Sequence, residues 1–97
     1  MNNKAKFEWD EEKANSNLEK HGVDFEEAQT VFDDLFNIEF YDPAHSIAEH
    51  RFLAVGESNL ERLLIVSYTE RDGRIRIISA RELTPKERRS YEHGKFE

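Results

Sequence analysis

The stretch RIRIISARE, residues 74–82, sets arginines at positions 74, 76 and 81 of a run otherwise rich in isoleucine. A guanidinium keeps its charge throughout the physiological range and can grip two phosphate oxygens through parallel hydrogen bonds. Strict alternation along this run puts Ile75, Ile77, Ser79 and Arg81 on one face, and Arg74, Arg76, Ile78, Ala80 and Glu82 on the other. Arg76 stands mid-run on the less apolar face, where a purely structural sheet prefers Thr or Val. An arginine there needs a carboxylate partner, open solvent or a phosphate. Arg76 and Arg81 share a site only if twist or a bulge near the end of the run brings Arg81 round.

The other candidates are few. Lys20 and His21 stand together in KHG. A cation at a helix C-terminus favours the dipole, Leu18 nearby suggests a partly buried His21, and Lys20 reads most simply as a solvated lysine. His45 and His50 flank Glu49 without any metal-binding spacing, and there is no cysteine. A zinc site, a cysteine nucleophile and a disulfide framework are therefore not expected. Four glycines supply no GxSxG elbow and no phosphate-cradling loop, so no metal and no cofactor are expected.

Formal net charge is −7, but its distribution is uneven. Residues 1–50 carry four Lys, no Arg and thirteen acids, a balance of −9, whereas residues 51–97 carry ten basic and eight acidic residues, a balance of +2. Two partners of opposite character would explain the asymmetry; so would a well-solvated surface. The N-terminal MNNKAKFEWD lacks the apolar core of a signal peptide, and no run is long enough to cross a bilayer, so the expected location is the cytoplasm.

These residues must be positioned by a single domain, residues 1–97, because so short a chain has no room for a second core. Its apolar residues fall in periodic blocks, which argues against disorder. KFEW (6–9) reads as a short strand. Asp10 then caps a helix with Glu11 and Glu12 in its first turn and Ala14, Leu18 and His21 along one face, ended by Gly22 at C′. Asp24 and Glu27 form a capping-box pair ahead of a buried stripe of Phe25, Ala28, Val31 and Phe32. The period then changes to two, and strands are expected over 37–42, 51–58, 62–70 and 74–82, the last two joined by an Asp-Gly hairpin turn. Both alternating sets of LLIVSYT are apolar, which predicts a central strand covered on both faces. Thr84, Pro85 and Glu87 start a last helix whose only large apolar residue is Tyr91. Such a helix is expected to dock loosely or to bind something. The order is β-α-α-β-β-β-β-α and the class α+β: an antiparallel sheet packed by two N-terminal helices and a polar C-terminal helix.

Taken together, FEWDEEKANSNLEKHGVDFEEAQTVFDD, DPAHSIAEHRFLAVGES and RLLIVSYTERDGRIRIISARELTPKERRSYE resemble the BrnT toxins of bacterial type II toxin–antitoxin systems. The likeness runs from Phe7 to about Tyr91, and its most specific parts are FEWD, KHGV, RFLAVG and RIISAR in that order. It implies a RelE-like fold, ribonuclease activity and a cognate BrnA-type antitoxin with a ribbon-helix-helix DNA-binding part. The antitoxin would block the toxin, and the complex would bind operator DNA through the antitoxin and repress its own promoter. Such enzymes cleave RNA without metal, by attack of a 2′-hydroxyl on the adjacent phosphorus. The resemblance adds weight to Lys20, His21, Arg51, Arg76, Arg81 and Tyr91 without assigning their roles; Lys20, His21, Arg76, Arg81 and Tyr91 are expected to be catalytic, and Arg51, Arg74 and Arg88 to bind substrate. From what that reaction needs, Arg76 and Arg81 are expected as phosphate clamps, His21 or Lys20 as acid or base, and Tyr91 as stacking on a base or orienting the 2′-hydroxyl. RelE-like toxins that act on the ribosome are usually basic; this chain is acidic, so its grip on RNA must be local to the arginine face. A second reading is a non-catalytic module or corepressor whose arginine face docks an acidic protein or nucleic acid.

Overall fold

Asp10 accepts a hydrogen bond from the Glu12 N–H at 2.9 Å, and helix α1 (Glu11–His21) starts where its acidic first turn predicts. It stops at Gly22, whose φ of +70° is left-handed and whose N–H donates to the Leu18 carbonyl at 2.8 Å. Asp24 caps helix α2 (Phe25–Gln29) by accepting from the Glu27 N–H at 2.7 Å, and α2 runs on into a 3₁₀ turn over Thr30–Asp33. The computed structural model describes residues 6–96. Its strands are β1 (Lys6–Glu8), β2 (Ile38–Tyr41), β3 (Phe52–Glu57), β4 (Leu63–Arg71) and β5 (Arg74–Glu82), followed by helix α3 (Pro85–Glu92). A further 3₁₀ turn, Pro43–His45, was not anticipated from the sequence.

The sheet order is β1-β5-β4-β3-β2, with the apolar β4 at its centre as its composition predicts. Four strands form the expected antiparallel meander, whereas β1 joins β5 in parallel, making the sheet mixed at one edge. The β4–β5 turn has positive φ at both Asp72 (53°) and Gly73 (76°), the geometry a two-residue hairpin needs.

Helices α1 and α2 cover one face, where Phe25, Ala28 and Val31 meet Ala54, Leu64, Val66, Tyr68, Ile77 and Ala80. On the other face α3 and the following residues cover only part: Tyr91 and Phe96 pack on Phe40, Val55, Ile65 and Leu83. The predicted box at Thr84 and Glu87 is complete, with both reciprocal hydrogen bonds present.

Two local expectations need correction. The sequence gives Glu27 to a capping box, but its carboxylate turns inward and accepts from Arg62 Nε (3.0 Å), Arg62 Nη2 and Ser58 Oγ (2.6 Å). Arg62 also donates to the Gly22 carbonyl at 3.0 Å and to Glu82 at 3.2 Å, so one guanidinium ties α2 to the end of α1 and to β5. The Arg62 hydrogen bonds hold the Glu27 carboxyl below the usual range even though burial pushes the other way. Secondly, α1 does not bury Leu18 and His21. Leu18 is half exposed, His21 is exposed, and the buried polar residue of the helix is Asn17.

Asn17 has a specific reason to be inside. β1 pairs with β5 only as far as Glu8 opposite Arg76, so the outer edge of β5 beyond that point lacks a neighbouring strand. The Asn17 amide fills the gap: its Nδ2 donates to the Ala80 carbonyl (2.8 Å) and the Val23 carbonyl (2.9 Å), and its Oδ1 accepts from the Ala80 N–H (3.1 Å). A side chain here does the work of a strand.

Asn17→Ala would leave three buried backbone groups unpaired, each costing roughly 1–3 kcal/mol. We expect urea unfolding to show a loss of about 3 kcal/mol or more; a loss under about 1 kcal/mol would mean that this edge is not held by Asn17. Gly22→Val, with nothing within 4 Å of the added Cβ, should cost only the backbone strain of a left-handed β-branched residue. That strain is about 1–2 kcal/mol, and an unchanged melting temperature would contradict it.

Candidate functional site

The register of β5 departs from strict alternation at one place. Ser67 pairs with Ser79, but Tyr68 pairs with Ile77, leaving Ile78 as an extra residue on β5. Ile77 and Ala80 can therefore both lie in the core. The same bulge corrects the face assignment made from alternation: Arg81, opposite Ile65, falls on the same face as Arg76, opposite Thr69.

That face carries rows that can be read off the pairing. Glu8, Arg76 and Thr69 lie side by side, and Arg51, one residue before β3, continues the register beyond Thr69. The next row is Ser79, Ser67 and Leu53, and beyond it lie Arg81, Ile65 and Val55. Strands about 4.8 Å apart put the Arg51 and Arg76 backbones roughly 10 Å apart. Helix α3 covers the Ile65 end, and the rows of Arg76 and Ser79 remain partly exposed apart from the buried Thr69. Around the β5 edge from Ser79, a groove is lined by Lys13, Ser16, Asn17, Lys20, His21, Ile78 and Ser79. Ser79 thus belongs both to the arginine face and to the groove that holds Lys20 and His21.

The arginines differ in how much of each guanidinium is occupied. Arg76 Nη1 donates to Glu8 at 3.1 Å and Arg74 stands 4.0 Å from the same carboxylate, so Arg76 has a carboxylate neighbour that engages one of its donors. Arg81 is held at both ends: Nη1 and Nη2 donate to the two Glu87 oxygens at 2.8 and 3.0 Å, and Nη1 also reaches the Glu82 carbonyl. Arg51 Nε is buried and makes no hydrogen bond among the described residues, with Glu49 3.4 Å away. Arg88 is exposed on α3. The Tyr91 hydroxyl donates to the Phe36 carbonyl at 3.3 Å, on the β2 side of the sheet and away from the Lys20–His21 groove. Ser79, Lys20 and His21 thus share a groove at the β5 edge, Arg76 lies on the adjoining sheet face and Arg51 two strands away from it; Arg74 lies at the hairpin end of β5, Arg81 at the α3 junction, and Tyr91 is turned elsewhere.

The α3 junction holds an ion pair. The Arg81 hydrogen bonds, helped by the backbone N–H of Thr84, pull the Glu87 carboxyl down to about 2 against the opposing effect of burial. Arg81 is raised in turn by its hydrogen bonds to Glu87. Burial pushes the Tyr91 phenol up, and Asp34 and Glu57 add to it.

Sequence reasoning passed over Glu8, Asn17, Ser67 and Ser79. Glu8 had a signal, since it alternates with Phe7 and Trp9 in a short strand. Asn17 had one too, three residues after Ala14 on the helix. The Ser67–Ser79 pair had none, because it depends on the register of two strands.

Against known proteins, residues 9–87 match the family model described as "Ribonuclease toxin, BrnT, of type II toxin-antitoxin system". Among solved structures, the chain is similar to the Brucella abortus ribonuclease toxin BrnT, with 26% sequence identity and a TM-score of 0.61 over 84% of this chain and 99% of that one. No curated protein sequence matches.

The Glu87 carboxyl supplies a pH test. Its folded value of about 2 lies below the ordinary glutamate value, so its contribution to stability is present above that ordinary value and is lost as pH falls through about 2. Wild type should melt above Glu87→Gln by a constant margin at pH above about 5, and that margin should shrink toward zero as pH drops to about 2. A margin that stays constant over this acid range would contradict the clamp.

Proposed function

Because this chain belongs to the BrnT family of ribonuclease toxins of type II toxin–antitoxin systems, we propose that it cleaves RNA by metal-independent attack of a ribose 2′-hydroxyl on the adjacent phosphorus. The observation that carries this reading is the placing of Arg76 on the open half of the sheet, with Ser79 joining it to the groove of Lys20 and His21. In such a reaction the 2′-oxygen–phosphorus bond forms as the phosphorus–5′-oxygen bond breaks. A base takes the 2′-hydroxyl proton, an acid returns one to the leaving 5′-oxygen, and cations hold the charge that builds on the phosphoryl oxygens.

Arg76 suits the phosphoryl oxygens, since its contact with Glu8 uses one donor of five. Arg51 lies across the strip, where a neighbouring phosphate of a single strand would run. His21 and Lys20 stand at the rim as the proton-transfer pair. Arg81 acts through Glu87 as a positioning residue that sets α3, and Tyr91 packs that helix against the sheet. In the cell, a BrnA-type ribbon-helix-helix antitoxin would neutralise the cytoplasmic toxin, and the complex would repress its own promoter.

The carboxylate partners of Arg76 and Arg81 favour a second reading, in which the face is an ion-pair network and the chain only binds. Purified protein and a short single-stranded RNA separate the two. Arg76→Ala should slow cleavage by roughly 100-fold or more, the scale of losing one oxyanion donor, with an unchanged fold. Cleavage should persist in EDTA and yield a 2′,3′-cyclic phosphate. Full activity in Arg76→Ala would remove Arg76 from the chemistry; loss in EDTA restored by a divalent ion would remove the metal-free mechanism; no cleavage by wild type would favour the binding module.

A further inference from the structure

Strand β2 closes the sheet on the side opposite β1, and among the described residues no strand pairs with its outer edge. The hydrogen bond from the Asp42 N–H to the Arg51 carbonyl, at 2.8 Å, fixes the phase of the β2–β3 ladder. Pairing alternates from there, so Phe40 and Ile38 turn their backbone groups inward to β3, and Glu39 and Tyr41 turn theirs outward. Edges of this kind are normally blunted by lysine, proline or a covering loop. Here the strand reads IEFY, with no lysine and with Pro43 only beyond its end.

Exposed apolar side chains stand in the segments that lead into and out of the strand instead. Leu35 is 94% exposed, Phe36 80% and Ile47 95%, and Tyr41 is half exposed. Monomeric surfaces seldom carry so many large apolar side chains near one strand unless something covers them. Charge identifies the occupant. Between Lys20 and Arg51 there is no lysine or arginine, and residues 21–50 hold eight acids. Asp33, Asp34, Glu57 and Glu61 line a groove beside the turn that carries Leu35 and Phe36. A second copy of this chain would bring the same acids against themselves, which disfavours self-pairing.

We infer that the outer edge of β2 takes an added strand from the antitoxin, an extended segment in which apolar side chains alternate with lysine or arginine. The backbone of that segment would pair with Glu39 and Tyr41, its apolar side chains would cover Leu35, Phe36 and Ile47, and its cations would meet the acidic rim. The identity of the partner rests on the toxin–antitoxin reading above; the edge itself does not. It lies across the sheet from Arg76 and the Lys20–His21 groove, so its occupation leaves those residues uncovered.

The test uses the full chain and a synthetic eight-residue peptide of alternating lysine and valine, with hydrogen exchange followed residue by residue. Saturating peptide should slow exchange at Glu39 and Tyr41 by at least about tenfold, as a new ladder requires, and the effect should weaken as salt rises. A glutamate–valine peptide should do nothing, and a lysine–valine peptide N-methylated on alternate residues should lose the protection without any change to the protein. Tyr41→Pro, which removes an outward N–H that an edge strand can spare, should also abolish protection while leaving RNA cleavage intact. Equal protection by the glutamate or N-methylated peptide, or none by the lysine peptide, would overturn the inference. So would a dimer in sedimentation that Tyr41→Pro dissolves, since the occupant would then be a second copy. Peptide protection without RNA cleavage would retain the docking edge and defeat only the ribonuclease reading.

Discussion

Strand β5 has to bury Ile77 and Ala80 on one face while holding Arg76 and Arg81 on the other, and a regular strand cannot do both. An even step along the chain keeps a face and an odd step changes it; 77 to 80 and 76 to 81 are both odd. One extra residue, Ile78, resolves the conflict, and the rest of the architecture follows from that position. The bulge falls where β1 has already ended, so Asn17 has to supply the hydrogen bonds a strand would have made to Ala80. The groove that holds Lys20 and His21 forms at the same place, with Ile78 and Ser79 as its floor. Packing and the candidate chemistry thus share one irregularity.

Charge does three separate kinds of work in this acidic chain. In the Glu27–Arg62 pair the carboxylate is buried, the guanidinium is partly exposed, and the pair ties α2, the end of α1 and β5 together. The Arg81–Glu87 pair is partly exposed and joins a helix cap to the sheet. Arg76 with Glu8 is looser, a single hydrogen bond at the open half of the face. Of the three, Arg76 makes the fewest hydrogen bonds among the described residues, as expected of a guanidinium that must exchange its partner for a phosphate.

Much of the fold was legible because local rules agreed with the global result. Asp10, Asp24 and Thr84 cap their helices, Gly22 ends one, Asp72-Gly73 turns the hairpin, and the doubly apolar LLIVSYT lies at the centre. What escaped was set by tertiary partners. Glu27 had two possible employments three residues from Asp24, and only the folded position of Arg62 decides between them. Leu18 looks like a core residue by period, yet α1 is rotated to serve the β5 edge through Asn17. The arginine strand was legible as a site by residue type, but its two faces were not, because the bulge leaves no local mark in RIRIISARE. Tyr91 was placed by resemblance alone, and its packing against Val55 and Ile65 depends on how α3 crosses the sheet.

The account's central claim is that the open half of β5 and the α1 groove form one surface that faces RNA. Nuclear magnetic resonance tests it most directly, by titrating the ¹⁵N-labelled chain with a short RNA whose 2′-hydroxyls are methylated so that it binds without being cut. Signals of the Arg76 and Arg51 guanidinium groups should shift together with the backbone amides of Lys20, His21, Ile78 and Ser79, while β2 and the outer face of α3 stay unmoved. Shifts confined to Lys86, Arg89, His93 and Lys95 on α3, with Arg76 and His21 unaffected, would contradict it.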